Sequence, residues 1–296
     1  MARSLIWVLA ALIALVNTHD ADACKTPPPC VALQSFPTEA EAERGLTEQD
    51  PVILARSLVT IARAGDPKRL TRVQKLLLDG RIAKQIHDAP DGRRCLLPAV
   101  LRAFAEGSLG QFTFVALINA KAWNDDGDLT DALLRASGAL KKGPADVVAF
   151  WKKYSKPEDG YINLTTMALI ENGSAEALEL FENLFTDPKH EVETRKGWLH
   201  TTFIEQRHQP RVLAMVKRLL ATKLPAPHVA ALGEATFDVR QRWYGTCPGP
   251  TPPAASSYTP EARTLVKQLA TTVRANKPDA ELAKAITRLL AELDKP

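Results

Sequence analysis

The residue types best suited to bind a ligand are close together in the sequence at Arg240, Arg242, Trp243 and Tyr244. Guanidinium groups offer several donors in a fixed arrangement, and large aromatic rings offer contact area, so this combination dominates binding hot spots. A helix end on which arginine stems pack over Trp243 produces the same pattern. We predict a binding patch here for a protein segment or a sugar, beside the Pro- and Gly-rich loop at 245–259.

A second patch of candidate binding residues lies earlier in the chain and includes His200 and Arg207. Its other members, Trp198, Phe203 and His208, cover more than one face of a helix, so part of the patch belongs to the core. His200 and His208 are about two helical turns apart, and no HExxH motif occurs. Surface histidines explain this spacing better than a metal site, so we predict no metal and no cofactor.

Carboxylates at alternate positions around Gly127, in the segment 123–131, resemble part of a calcium-binding loop. Hard cations require such oxygen ligands. Aligning Gly127 with the sixth position of that loop puts Ala122 at the first position and Leu133 at the twelfth, and neither side chain can ligate. The favoured interpretation is a polar turn in which Asp128 caps the following helix.

Motifs for covalent catalysis and for nucleotide binding are not found in the chain. The segment 107–110, Gly-Ser-Leu-Gly, lacks the spacing of a nucleophile elbow, and no glycine-rich phosphate loop occurs. The 38 Lys and Arg face 34 Asp and Glu, a net charge of +4. Proteins that bind nucleic acid carry a stronger basic stripe, so we predict no nucleic-acid partner and no catalytic residue.

The beginning of the chain predicts export. Arg3 precedes an apolar run of 12 residues at 5–16, which as a helix rises about 18 Å and falls short of a bilayer. Small residues at the expected cleavage positions then predict a cleaved signal peptide at 1–23 and a periplasmic or extracellular protein. An aspartate two residues before Cys24 disfavours a lipoprotein signal. The later sequence contains no run that approaches a membrane span.

Four cysteines follow the predicted cleavage site, at Cys24, Cys30, Cys95 and Cys247. An even count in an oxidising compartment predicts two disulfides, and the lack of a CxxC pair disfavours a metal site. Two pairings remain open. Either Cys24 and Cys30 form disulfides with Cys95 and Cys247 and so fasten a Pro-rich leader to the helices, or they form a disulfide with each other and close a local loop.

Helical periodicity dominates the chain after a Pro-rich leader at 24–49 and predicts one helical domain at 50–296. Asp50-Pro51 and Asp66-Pro67 each place a capping residue before proline, which is typical of a helix start. No run of alternating polar and apolar residues indicates strands, so the predicted fold class is all-α. The predicted helices span 51–64, 67–79, 95–106, 112–123, 129–141, 145–154, 161–172, 175–186, 190–206, 210–222, 227–243, 260–275 and 279–293.

The second helix of each predicted pair repeats one apolar pattern, an anchor followed by apolar residues three, six and seven positions on. The spacing of these anchors indicates a unit of about 35 to 39 residues. The anchors are Leu70, Val147, Leu178, Leu213 and Ala283. The clearest copies are Leu70, Val73, Leu76 and Leu77, and Leu178, Phe181, Leu184 and Phe185.

With Gly65 and Gly173 at the turns between paired helices, this pattern resembles the HEAT-like (armadillo-type) helical repeat proteins. The resemblance implies a right-handed α-solenoid of about six antiparallel helix pairs, with a concave surface for a partner and no catalytic residues. We therefore predict an exported, non-catalytic scaffold that binds another exported or envelope protein. The sequence indicates nothing about its oligomeric state.

Two other functions are compatible with helical repeats. A helical toroid that acts on polysaccharide or cell-wall material requires a deep cleft in which titratable groups converge, and its candidates are His228, Arg240 and Tyr244. A structural helper in an envelope complex requires no site. An open groove favours binding, whereas a closed toroid with a Tyr, His and Arg pocket favours catalysis.

Overall fold

Helices form the regular secondary structure of the part of the chain that the structure describes. The computed structural model describes residues 36, 38–90, 92–141, 145–156, 158, 160–199, 201–237 and 253–295. Within these ranges there are 17 α-helices and no strand, so the predicted all-α fold class is confirmed. None of these helices is both long and apolar enough to cross a bilayer.

The α-helices are numbered here in chain order. They are α1 (Glu39–Gly45), α2 (Pro51–Ala64), α3 (Pro67–Leu77), α4 (Arg81–His87), α5 (Leu97–Glu106), α6 (Gly110–Ile118), α7 (Lys121–Asn124), α8 (Gly127–Ser137), α9 (Ala145–Lys153), α10 (Ile162–Asn172), α11 (Ala175–Thr186), α12 (Val192–Gly197), α13 (Thr201–Gln206), α14 (Pro210–Ala221), α15 (Ala226–Phe237), α16 (Pro260–Ala275) and α17 (Ala280–Leu293). A π-helical turn, Gly92–Leu96, leads into α5, and a 3-10 turn, Ala255–Ser257, precedes α16.

The first long helices begin as the Asp-Pro pairs predict. The Asp50 carboxylate accepts a hydrogen bond from the Val52 N–H at 2.8 Å, and the Asp66 carboxylate accepts one from the Arg69 N–H at 2.9 Å. These bonds satisfy amide groups that have no partner inside the helix. Gly65 ends α2 in the left-handed region, with φ at 73°, a conformation that glycine adopts without strain. The turn between α2 and α3 is therefore encoded locally.

The helices stack in two rows. Row A consists of α2, α5, α8, α10, α13, α15 and α17, and row B consists of α3, α6, α9, α11, α14 and α16. In each row every helix packs against the next. Members of the two rows alternate along the chain, and the short helices α4, α7 and α12 lie in connections that lead from row B back to row A. The core is the apolar seam between the rows.

The repeated apolar pattern lines this seam. Leu70, Leu178, Phe181 and Val216 are at most 4% exposed, and the burial of such side chains stabilises the fold by about 1.5–3 kcal/mol each. The helix that carries Ala283, α17, packs against both α15 and α16, so it continues row A and also contacts the last helix of row B.

Two buried tryptophans join helices of the stack through hydrogen bonds. Trp123 and Trp151 are each 0% exposed. The Trp123 indole donates a hydrogen bond to the Leu77 carbonyl at 2.8 Å, and the Trp151 indole donates one to the Ser137 hydroxyl at 2.8 Å. Each ring therefore buries a large apolar area while its single polar atom stays satisfied.

The sequence patterns do not predict α1 and α4, which have seven residues each. Segments this short offer too few periodic positions to show a helical face. α1 lies within the predicted leader and begins with a capping box between Thr38 and Glu41. Behind α4, the π-helical turn comes so close that a Cβ on Gly92 would lie 1.9 Å from the Ile86 carbonyl oxygen, so only glycine fits there.

Two predicted helices are interrupted in the structure. The segment 112–123 is divided between α6 and α7, and the segment 190–206 is divided between α12 and α13. At the first break, the Asn124 side chain donates hydrogen bonds to the Ile118 carbonyl at 2.8 Å and to the Ala120 carbonyl at 3.0 Å. The Ala120 carbonyl also accepts from the Asn124 N–H, so the side chain adds to backbone bonding at this break, which apolar periodicity does not reveal.

Some predictions concern residues outside the described part of the chain. These are the signal peptide at 1–23, Cys24, Cys30, Cys247 and most of the loop at 245–259. Cys95 lies half-buried in the π-helical turn and is not a free thiol. Its pairing stays a prediction.

Candidate functional site

Most residues predicted to bind a ligand fall in gaps of the described chain. They are His200, Arg240, Arg242, Trp243 and Tyr244. The helix that leads to the aromatic patch, α15, is described as far as Phe237. The patch therefore stays a prediction.

Arg207 is described, and it lies in the interior. Its side chain is 2% exposed, and its Nη1 donates a hydrogen bond to the Ala235 carbonyl at 3.4 Å. Tyr258 is buried beside it, and this burial raises the pKa of the Tyr258 hydroxyl. Arg207 thus links the end of α13 to α15, which favours a structural contact over contact with a ligand.

The outward side of row A forms a mixed surface that no motif in the sequence indicates. Arg102 and Arg135 extend from α5 and α8 with side chains about half exposed, at 51% and 48%. Met167 on α10 is 39% exposed although it is apolar. We call Arg102, Arg135, Met167, Glu171 and Glu205 the row A face. Successive helices of one row supply these residues, so the stacking sets their spacing.

An ion pair crosses this face from α5 to α10. Arg102 Nη2 lies 2.6 Å from Glu171 Oε1, and Arg102 Nε also donates to Glu106 Oε1 at 2.8 Å. The pair passes the end of α8, where Gly138 leaves room for Glu171. A Cβ at Gly138 would lie 2.6 Å from Glu171 Oε2, so a larger residue there would displace the carboxylate.

The carboxylate of Glu205, on α13, is poorly compensated. Burial raises its pKa, and the neighbouring Glu171 carboxylate raises it further. Among the described residues no Lys, Arg or His side chain lies within ion-pair distance of Glu205. A cation supplied from outside would therefore lower the free energy of this end of the row A face.

A polar cleft of about 560 Å³ lies where the N-termini of α8 and α10 meet α4. Asp126 caps α8 by accepting two backbone N–H bonds, at 2.9 and 3.1 Å, so the cap is two residues before the predicted Asp128. Lys84 Nζ lies 2.7 Å from Asp128 Oδ2, and this hydrogen bond lowers the pKa of Asp128. The carboxylates are thus engaged, and no group of three or more possible metal ligands occurs within the described ranges.

His228, a candidate of the toroid enzyme, is inaccessible. It is 0% exposed, and its ring lies 5.6 Å from that of Phe185. Burial lowers its pKa, and the charge of the nearby Arg195 lowers it further. A fully buried ring cannot touch a substrate that arrives from solvent, so the structure does not place His228 in a catalytic cleft.

Comparison with known proteins adds no relative. Protein-family models, curated proteins and solved structures each give no match to this chain. The function proposed for it therefore rests on its own geometry.

Proposed function

We propose that this chain is an exported, HEAT-like α-solenoid that binds another protein through a concave side formed by row A. The observation that carries the proposal is the unbroken stacking of both rows. Such stacking leaves one long face of each row open to a partner. In this proposal the pairs α2/α3, α5/α6, α8/α9, α10/α11, α13/α14 and α15/α16 are six antiparallel repeats of a right-handed superhelix, and α17 covers the end of row A.

The ion pair between Arg102 and Glu171 supports a concave row A. α5 and α10 are two steps apart in the row, and two steps of a straight row span about 16–20 Å. The two side chains nevertheless meet at 2.6 Å. If row A bends toward the side that carries Arg102 and Glu171, the distance between α5 and α10 on that side becomes shorter, and the two side chains can reach each other.

The composition of the row A face indicates the chemistry of the partner segment. Met167 offers an exposed apolar contact at the middle of the face. Glu205 offers a carboxylate that Glu171 repels. A partner segment that places a lysine or arginine beside an apolar side chain complements both features.

Export and two disulfides complete the proposal. Cys95 is half-buried and not a free thiol, which supports a covalent link at the π-helical turn. A bond from Cys95 to the leader would fasten the leader to the first repeats. Peptide mapping without reductant tests this link, and a peptide that joins Cys24 to Cys30 would contradict it.

The test of binding is a cross-linking pull-down of the exported chain from extract of its own compartment. Wild type is compared with Met167→Asp and with Glu205→Lys, which replace the apolar contact and reverse the charge on the row A face. The matched control is Phe112→Asp, because Phe112 is an exposed apolar residue of row B. We expect one protein that wild type and the control retain and that both row A variants lose.

Equal capture by all four proteins would contradict a binding site on row A. A further variant, with Arg240, Arg242 and Trp243 all changed to Ala, tests the predicted aromatic patch separately. Loss of capture only in that variant would move the site to the end of α15. Retention on cell-wall material without a protein partner would instead favour the enzyme alternative.

A further inference from the structure

The outward face of α3 is basic. Lys68, Arg72 and Lys75 recur at the i, i+4 and i+7 positions of one helix face and are exposed. The helix contains no Asp or Glu. Its fourth base, Arg69, pairs with Glu43 of α1 at 3.0 Å. The other three bases form no ion pair with any described residue, so their charge faces solvent.

The next helix of row B, α6, presents an apolar face instead. The stretch 107–120 contains no charged residue. Phe112 is 66% exposed, more than any other large apolar side chain of the described residues, and Leu109 is 39% exposed. Exposed apolar side chains that form a patch bordered by polar residues mark interaction sites.

These two faces are adjacent and point in the same direction. α3 packs directly on α6, and both turn their buried sides toward row A. The turn before α6 also lies close to the end of α2, because a Cβ on Gly107 would lie 3.1 Å from the Ala62 carbonyl oxygen. On the far side of α6, Lys152 of α9 is exposed. α9 also exposes Asp146, so the surface runs from the basic α3 through the apolar α6 to a helix of mixed charge.

We propose that this surface docks the protein on an anionic lipid bilayer. Its contact residues are Lys68, Arg72, Lys75, Leu109 and Phe112, which we call the row B surface. Phe112 and Leu109 enter the interfacial region, and the three bases lie over the anionic headgroups. Membrane-surface elements combine these two terms, apolar burial and electrostatic attraction to anionic lipid.

The negative charge of α11, the next helix of row B after α9, limits the area that contacts the bilayer. α11 exposes Glu176 and Glu179 and contains no Lys or Arg. An anionic bilayer repels this helix, so the contact covers α3, α6 and α9 and ends there. Docking by row B leaves the row A face free. The two surfaces are therefore independent, and either proposal can fail alone.

The test is co-sedimentation of the exported chain with vesicles. Vesicles of phosphatidylcholine with a minority of phosphatidylglycerol are compared with vesicles of phosphatidylcholine alone. We expect binding to the anionic vesicles only, and weaker binding as salt rises. Changing Lys68, Arg72 and Lys75 together to Gln should weaken binding roughly a hundredfold, because each base contributes about a fivefold effect. Phe112→Ser should weaken it about tenfold.

Two control variants test whether the effect depends on the row B surface itself or only on the total charge and exposed apolar area of the protein. Lys277, Lys284 and Arg288 are exposed near the C-terminal end, and changing all three to Gln removes the same charge elsewhere. Val52→Ser removes an exposed apolar residue of α2, in row A. Both controls should bind vesicles as wild type does. Equal binding by the test and control triple variants, or equal binding to uncharged vesicles, would overturn the proposal.

Discussion

The region around Trp123 and the region around His228 differ in the hydrogen bonding of their buried polar groups. The Trp123 indole donates to the Leu77 carbonyl, and the Thr130 hydroxyl donates to the Trp123 carbonyl at 3.0 Å. His228 is as deeply buried, yet neither of its ring nitrogens has a hydrogen-bond partner among the described residues. Within the same part of the chain, the Nε atom of the neighbouring Arg195 is also buried without a partner.

The stacked helices therefore differ along the chain: the buried polar groups around Trp123 are hydrogen-bonded, and those around His228 have no partner among the described residues. A buried polar atom without a partner costs about 1–3 kcal/mol. A bonded one fixes the helices that it joins. We therefore expect the region around Trp123 to resist unfolding, and the contact of α12 with α15 to depend on the protonation of its buried groups.

The largest expected effect is that of Trp123→Ala. Removing this fully buried ring leaves a cavity and breaks the indole bond to the Leu77 carbonyl, which keeps only its bond from the Gly80 N–H, so the free energy of unfolding should fall by about 3–5 kcal/mol. Trp123→Phe keeps most of the apolar contact and should cost only about 1–3 kcal/mol. Urea denaturation followed by circular dichroism measures both. A loss below about 1 kcal/mol for the alanine variant would show that this region does not stabilise the fold.

A smaller effect is expected for Asn124→Ala. The Asn124 amide bonds two carbonyls at the break between α6 and α7, and its oxygen accepts from the Tyr154 hydroxyl at 3.0 Å. Losing these bonds should lower the free energy of unfolding by about 2 kcal/mol. The matched control is Asn119→Ala at the exposed end of α6, which should change it by less than about 0.5 kcal/mol. Equal effects at the two positions would contradict the role of Asn124.

The smallest effect concerns pH and the His228 region. The pKa of His228 is lowered in the folded protein, so the unfolded chain binds a proton more readily than the folded one. Stability is therefore full above about pH 6.5 and falls as the pH drops below that value. Between pH 7.5 and 5 we expect His228 to account for a loss of at most about 2 kcal/mol, because the unfolded chain gains one proton over about 1.5 pH units.

His228→Leu sharpens this comparison. Leucine fills a similar volume without a titratable group, so the variant should match wild type near neutral pH and lose less stability at pH 5. Urea midpoints across the pH range measure this difference. Parallel curves for the two proteins would show that His228 does not sense pH. Any slope that remains in the variant is expected to include His190, whose pKa burial also lowers.

The parts of the fold that could be predicted are those that the sequence encodes locally. Asp50 and Asp66 bond the first amides of their own helices, so a cap followed by proline is sufficient to predict each start. Phe181 and Phe185 of α11 are buried where the apolar spacing predicts. The break after α6 could not be predicted, because it depends on what Asn124 contacts in the folded chain.

The row A face could not be predicted from the sequence for a related reason. The α10 helix buries Thr165 and Thr166 and exposes Met167, which inverts the usual sides for polar and apolar residues. Thr165 tolerates burial because its hydroxyl donates to the Tyr154 carbonyl at 2.9 Å. Arg207 shows the opposite case, since a charged residue suited to a surface lies 2% exposed. Only the packed neighbours decide such positions.

The bridge from Arg102 to Glu171 has a mechanical consequence. A row in which each helix touches only its neighbours stretches and bends like a spring, with strain shared along its length. The bridge ties α5 to α10 across α8. Because Arg102 is half exposed, the pair contributes about 0–1 kcal/mol. It would therefore add a small resistance to the separation of these three helices under a pulling force, and rising salt would weaken that resistance.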